Sequence, residues 1–292
     1  MATDGPPQVE AEPTWRRRTI LLVLGLALRL PLRARMNLYF RPELQRGLRW
    51  IGRDVAGPYP AGPPDHRFTM AVTVNQSWPY LLGIYEHALM SYWREHVSMG
   101  MTVLDVGGHT GYHTLYLANL VGPTGRVVAL EPVNELAQQL ATNVGLNRLD
   151  NCEVIEIAAS DEDATVELFI PHGDLYSTIA TTDPTRAEEA DGVVRTVQAR
   201  RLDSIATSIG QQVHYVKIDV EGAEAVALGG ATHLLSDPNT TFVVEVNEWV
   251  TAESQHVIEL LRRTGRQLDV IGTRGLTAFI AAPKKAAWTF TS

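Results

Sequence analysis

Cysteine is almost absent: in 292 residues only Cys152 carries a thiol. No intrachain disulfide can form and a cysteine-rich zinc site is excluded, which fits a reducing compartment and a cytoplasmic protein. No repeat of 20–50 residues is present, so solenoids and propellers are excluded. A membrane-spanning helix needs about 20 apolar residues, and the chain's apolar run, Ile20 to Leu28, falls well short of that. An overall positive balance is also missing. The 25 basic and 33 acidic side chains give a net charge of −8. No stripe interleaves basic with aromatic residues, so a nucleic-acid partner is not expected. What remains is ordinary globular composition, 45% hydrophobic and 20% charged, on a chain long enough for a real core.

Charge is unevenly spread. Residues 1–60 hold ten basic and five acidic side chains, which leaves −13 for the rest. Arg16, Arg17 and Arg18 precede the apolar run, and Arg29, Pro31, Arg33 and Arg35 follow it. Charged-then-apolar order is that of a signal peptide, but no small-x-small cleavage site follows. A packed or surface helix is therefore expected. A peripheral membrane or partner contact, pairing of subunits through this arm, and a cleaved signal are the alternatives. Met1 to Glu12 has the composition of a disordered tail. Gly57 to Asp65, GPYPAGPPD, reads as a linker or extended loop. Two parts follow: a tail, helix and linker over residues 1–66, and the main domain over 67–292.

Phe68 to Val74 predicts a short strand, and Tyr80 to Val97 a helix, with Leu81, Leu82, Tyr85, Leu89, Tyr92 and Trp93 near 3.6 spacing. From Met101 onward short apolar strands alternate with helices. TVLDVG, RVVALEP and CEVIEIAAS are strands, the last with a hairpin through TVELFI. RTVQARRL, HYVKIDVEG and TFVVEVNE follow, and then two terminal strands near QLDVIG and LTAFIAAP. YHTLYLANLV, ELAQQLATNVGLN, AEAVALGGATHLL and SQHVIELLRRTG are helices between them, with one more short helix after RTVQARRL. This alternation predicts a doubly wound, mainly parallel α/β sheet. Its ligand belongs beyond the strand carboxyl ends, where the strand order reverses. The polar stretch His172–Gly192 is expected as a loop that, with Phe68–Val97, builds an acceptor pocket.

The first strand of the alternation ends in Asp105-Val106-Gly107-Gly108-His109-Thr110-Gly111. Glycines let the backbone turn sharply and approach a ligand closely, and the helix that opens there presents its N–H groups. Glu131 ends the next strand, 26 residues after Asp105, where an acid can hold ribose hydroxyls. Two nucleotides compete for such a turn. A dinucleotide wants G-x-G-x-x-G with pyrophosphate over the helix N-terminus. Here a carboxylate stands two residues before the first glycine. Like charges about 4 Å apart repel by about 4 kcal/mol at an effective dielectric near 20. The same carboxylate suits the ammonium of a methionine moiety, so S-adenosylmethionine is favoured over NAD.

The run Lys217-Ile218-Asp219-Val220-Glu221-Gly222-Ala223-Glu224 sets four ionisable groups at the end of an apolar strand. Alternation puts Lys217, Asp219 and Glu221 on one side. Glu224 falls in the first helical turn, where the dipole favours an acid, and has a structural reading. Asp219 lies where the ligand cleft should open.

Several pieces now join: Tyr85-Glu86, VLDVGGHTGYHT at 103–114, LEP at 130–132, LNR at 146–148, RRLDSI at 200–205, VKIDVEGAE at 216–224 and VVEVN at 243–247. Together they resemble the FkbM-type family of S-adenosylmethionine-dependent methyltransferases, from near residue 85 to near 282. The resemblance implies a Rossmann-like class I methyltransferase fold with an antiparallel terminal hairpin and an N-terminal helical extension. It implies O-methylation of a sugar, a glycolipid or a secondary metabolite such as a polyketide. It also implies a cofactor site from Asp105, Gly107, Gly108, His109, Gly111, Glu131, Pro132, Ser160 and Glu86. Two departures stand out. The family's turn usually reads D-x-G-A-N-x-G, where this chain has Gly108 and His109, and Asn247 stands where the family often has histidine.

Methyl transfer needs a nucleophile aligned behind an activated methyl group, with water excluded. A hydroxyl must also lose its proton as it attacks. Asp219 and Glu221 are the candidates for orienting and deprotonating the acceptor, and Lys217 for holding Asp219 ionised or stabilising alkoxide. Glu245, Asn247 and Tyr85 complete the substrate side. Asp219, Glu245 and Asn247 are oxygen ligands suited to Mg²⁺, although no metal is expected. His109 and His113 stand four apart, the spacing of a metal pair, but lack a third ligand, so zinc is not expected. Trp78, Tyr80 and Tyr85 either line the acceptor pocket or form a hydrophobic helix cap. A nicotinamide-dependent oxidoreductase and a catalytically silent scaffold are the competing functions.

Overall fold

The computed structural model describes residues 14–53, 55–171, 192–246, 251–274 and 277–283. Prolines punctuate the N-terminal unit, Met1–Tyr85. Helix α1 (Thr14–Ala27) buries Ile20 and Leu24 and leaves Leu21, Leu22 and Leu26 exposed. Helices α2 (Leu32–Tyr39) and α3 (Pro42–Gly52) follow. Pro31 precedes α2 and Pro42 opens α3, positions where no N–H is needed. The stretch expected as a linker is instead strand β1 (Ala56–Ala61), antiparallel to β2 (Phe68–Thr73). Pro58 and Pro60 are two residues apart, so Tyr59 between them keeps its N–H for pairing while both prolines are exposed. A division between residues 66 and 67 would cut this hairpin, and the two units part after Tyr85 instead.

The helix expected over Tyr80–Val97 is interrupted. Helix α4 (Val74–Leu81) ends in the first unit, the chain turns at Gly83 with φ +60°, and α5 (His87–His96) begins the second. A Cβ at Gly83 would overlap the Gly62 carbonyl, so the turn needs glycine.

In the second unit, Glu86–Ser292, the alternation appears as predicted. The elements are β3 (Thr102–Val106), α6 (Tyr112–Val121), β4 (Arg126–Leu130), α7 (Asn134–Leu146), β5 (Cys152–Ile155), β6 (Ala158–Ser160) and β7 (Ala164–Pro171). Then come β8 (Gly192–Arg201), α8 (Leu202–Ile209), β9 (Tyr215–Ile218), α9 (Glu224–Gly229) and α10 (Thr232–Ser236). β10 (Thr241–Val246), α11 (Ala252–Arg263), β11 (Asp269–Arg274) and β12 (Thr277–Ala282) complete it. CEVIEIAAS supplies two strands, one to each of two sheets, and TVELFI pairs with β8 rather than folding back on β6. AEAVALGGATHLL breaks into α9 and α10 at its two glycines, and Gly230 packs so closely on the Ser160 carbonyl that a Cβ there would overlap it.

The large sheet runs β11-β12-β10-β9-β3-β4-β5, with only β12 antiparallel to its neighbours. Strands follow outward from β3 toward β5, and β9 and β10 continue on its other side, so the order reverses between β3 and β9. That is where a ligand cleft opens. Leu104, Val106, Val216, Ile218, Val244 and Val246 form one face, packed against α8 to α11. The alternate residues face α5 and α6, and among them are Asp105, Lys217 and Glu245, charged groups in otherwise apolar strands.

Candidate active site

Strand register gathers the charges. Asp105 of β3 lies opposite Lys217 of β9, and Lys217 opposite Val243 of β10. Two residues further along, Asp219 and Glu245 come to one level and hydrogen-bond. The Lys217 ammonium sits 3.3 Å from Asp105 Oδ1 and 3.2 Å from Asp219 Oδ2. Thr114 of α6 donates to Asp105 Oδ2 at 2.6 Å. Beside them His113 Nε2 lies 2.8 Å from Glu86 Oε2, both buried. Burial alone would pull the Lys217 ammonium down, but Asp219, Asp105, Glu86 and Glu245 outweigh it and hold it above its ordinary range. Burial and the Asp219 charge push Glu245 well up. Burial would also raise Asp219, but Lys217 and the Glu245 hydrogen bond hold it below the usual carboxylate range. The pair thus keeps its proton on Glu245, which donates to an ionised Asp219.

The glycine turn is pinned from three sides. Gly107 has φ +81°, and a Cβ there would overlap the Asp219 carbonyl oxygen, so β3 and β9 can meet this closely only over glycine. Gly111, φ +98°, opens α6, and Asn143 of α7 donates to the Thr110 carbonyl at 2.8 Å. A Cβ at Gly108 would crowd Leu140. The His109 N–H donates to Glu131 Oε2 at 2.9 Å and the Val133 N–H to Oε1 at 3.0 Å. Burial outweighs these bonds and raises the Glu131 carboxyl to about 7. Pro132 follows, half-buried. Among the described residues four non-glycines have positive φ, and three are site candidates: Glu86, His109 and Glu221. Such backbone concentrates where function demands it.

Other expected residues stand elsewhere. Asp105 is wholly enclosed, its oxygens taken by Thr114 and Lys217, so it does not face a ligand as the sequence suggested. The carboxyl groups gathered at the strand ends are instead those of Asp219 and Glu221, both half-buried, and of buried Glu245, each placing an oxygen within 4.8 Å of the others. Ser160 lies in β6 of the three-stranded sheet and donates to Asp161 at 3.3 Å. Glu224 accepts the Gly222 N–H at 3.1 Å, a structural role. His109 precedes the helix that carries His113, so the two share no helix face. Tyr85 belongs to the N-terminal unit, edge-on to Tyr80 at 4.6 Å. Trp78 is core there, its indole donating to the Leu48 carbonyl. Asn247 and residues 172–191 lie outside the described residues. Thr114, His113 and Asn143 were missed as partners. Their spacing from Asp105, Glu86 and Thr110 carries no periodic signal.

A model of the Methyltransferase FkbM domain matches residues 105–268, more than half of the chain. The chain belongs to the FkbM methyltransferase family. S-adenosylmethionine is its cofactor, and the nicotinamide reading is set aside. In part the chain is similar to the protein-L-isoaspartate O-methyltransferase of Methanothrix thermoacetophila, 43% identical over 56 residues, 19% of this chain and 27% of that protein. It is also similar to protein-L-isoaspartate O-methyltransferase 2 of Archaeoglobus fulgidus, 34% identical over 84 residues, 29% of this chain and 37% of that protein. The matched stretch is thus about a third of these relatives' length. Among solved structures, methyltransferase FkbM from Methylobacillus flagellatus KT aligns with a TM-score of 0.45 and 15% identity, over 72% of this chain and 53% of that one. Aeropyrum pernix fibrillarin in complex with natively bound S-adenosyl-L-methionine aligns with a TM-score of 0.42 and 17% identity, over 64% and 67%. The donor set fits this FkbM cofactor: Glu131 keeps acceptor capacity on both oxygens beside the turn. The ionised Asp219, with Glu221 beside it, suits a cation and disfavours a diphosphate.

Proposed function

We propose that this FkbM methyltransferase methylates a hydroxyl oxygen of a small molecule: a sugar, a glycolipid or a secondary metabolite such as a polyketide. The Asp219–Glu245 pair beside Lys217, at the point where strand order reverses, carries this reading. The bound cofactor supplies an activated methyl group. Glu131 receives the ribose hydroxyls. Asp219, kept ionised by Lys217, accepts a hydrogen bond from the acceptor hydroxyl and orients its oxygen. Held below the usual range, Asp219 is a weak base. That suffices, because a hydroxyl proton becomes strongly acidic as the new O–C bond forms, and it then passes to the Asp219 carboxylate. Lys217 steadies the charge throughout, so the reaction calls for no metal between Asp219, Glu221 and Glu245.

Asp219→Asn should still bind S-adenosylhomocysteine, because Glu131 and Glu221 remain, and transfer methyl about 10²–10⁴-fold more slowly. A wild-type rate in this variant would overturn the assignment. Radiolabelled donor offered with a panel of sugars, glycolipids and polyketides identifies the acceptor. The curated relatives, named for isoaspartate, favour a second reading, methylation of a carboxylate. Mild base separates the two: an ether keeps its labelled methyl, whereas a methyl ester releases it as methanol.

A further inference from the structure

Helix α1 is apolar on two opposite sides. Ile20 and Leu24 face inward, while Trp15, Leu22 and Leu26, seven and four residues apart, form a stripe on the solvent side. Leu22 is 63% exposed and Leu26 56%. Trp50 of α3, 61% exposed, has its ring centroid 6.0 Å from that of Trp15, so the apolar surface continues onto a second helix. Phe40, between α2 and α3, is 64% exposed. Large apolar side chains grouped this way on a water-facing surface mark an interaction site.

The charge around them has one sign. Residues 14–53 hold ten arginines against Glu43 alone, and eight of those arginines are exposed. Three make bonds within the unit: Arg35 is buried and donates to the Leu82 carbonyl, Arg16 donates to the Arg53 carbonyl, and Arg17 donates to the Pro58 carbonyl. Arg18 lies on the same side of α1 as Leu22, and Arg29 and Arg33 stand just beyond the helix end. The rest of the chain is acidic, so this surface is a local exception. Aliphatic and indole groups flanked by guanidinium groups match a bilayer interface, where acyl chains take the former and anionic headgroups the latter. A nucleic acid would use the cations and leave the leucines in water. No helix among the described residues is long and apolar enough to cross a membrane.

We propose that the α1–α3 surface docks peripherally on an anionic lipid bilayer, with Trp15, Leu22, Leu26 and Trp50 entering the interface and the surrounding arginines meeting lipid phosphates. This docking stands on its own observations and does not depend on the methyl acceptor. The test is cosedimentation of the full chain with vesicles of phosphatidylglycerol and phosphatidylcholine, against vesicles of phosphatidylcholine alone. Binding to the anionic vesicles should exceed binding to the neutral ones by about tenfold or more, because the arginines near the surface gain from anionic headgroups and not from neutral ones. The double variant Leu22→Glu/Leu26→Glu alters exposed positions only and should weaken binding by about tenfold or more. Its circular dichroism and S-adenosylhomocysteine affinity should remain those of wild type. Arg18→Glu/Arg29→Glu should weaken anionic-vesicle binding in the same way. Absence of vesicle binding, or undiminished binding by the leucine variant, overturns the proposal. So does tighter retention on single-stranded RNA that the leucine variant keeps. A dimer that the leucine variant dissociates, without vesicle binding, would assign the surface to a second copy instead.

Discussion

Lys217 is surrounded by carboxylates, and the geometry assigns it work at both ends. Toward the interior it neutralises Asp105, which has no water to fall back on; toward the cleft it keeps Asp219 ionised. Lys217→Met should therefore cost about 3–5 kcal/mol of stability, the scale of a buried charge left without its partner. Urea denaturation measures this, and Lys217→Met/Asp105→Asn should recover part of the loss. If the single variant unfolds at the wild-type midpoint, the ion pair is not what holds β3 to β9. Sequence gave warning of these charges only in part. Lys217, Asp219 and Glu245 could be picked out because charged groups rarely sit in apolar strands. The Glu86–His113 pair could not, because it joins residues 27 apart, one just before α5 and the other on α6. Asp105 stands out by its place before the glycine turn, but nothing in the local motif tells that Thr114 and Lys217 take up its oxygens.

At the scale of elements, those bounded by strong punctuation were legible. The span α6 (Tyr112–Val121) falls where predicted because Gly111 and Gly122 bracket an apolar run. The failures have physical causes outside the local sequence. Proline and glycine in GPYPAGPPD argue for a loop until β2 arrives to pair with it. The 3.6 spacing through Tyr80–Val97 is real on each side of Gly83, but the backbone at Gly83 and Glu86 turns left-handed and ends one helix before the next starts. The glycine turn makes the sharpest prediction at this scale. Gly107→Ala places a methyl group against the Asp219 carbonyl and forces φ +81° on a residue that resists it. About 1–3 kcal/mol of stability should be lost, together with measurable S-adenosylhomocysteine binding. An alanine variant that binds as wild type would show that β3 and β9 need not approach so closely.

Across the whole molecule the charge is divided by role: a cationic N-terminal surface, and a methyltransferase unit whose carboxylates gather at the carboxyl ends of β4, β9 and β10. On the proposed reading these ends form the S-adenosylmethionine site, with Glu131 on the ribose. Calorimetric titration of the full chain with S-adenosylhomocysteine tests it most directly. Ribose hydroxyls donate to the ionised form of Glu131, and burial sets that ionisation near 7. Affinity should therefore rise from pH 6 to pH 8, with proton release on binding near neutrality, by up to about tenfold per pH unit below 7. Glu131→Ala should bind about 1–3 kcal/mol more weakly, with that pH dependence flattened. One ligand per chain should bind with this profile, and NADH should not bind. A chain that takes NADH but not S-adenosylhomocysteine, or a Glu131→Ala variant with wild-type affinity and pH profile, would contradict that reading.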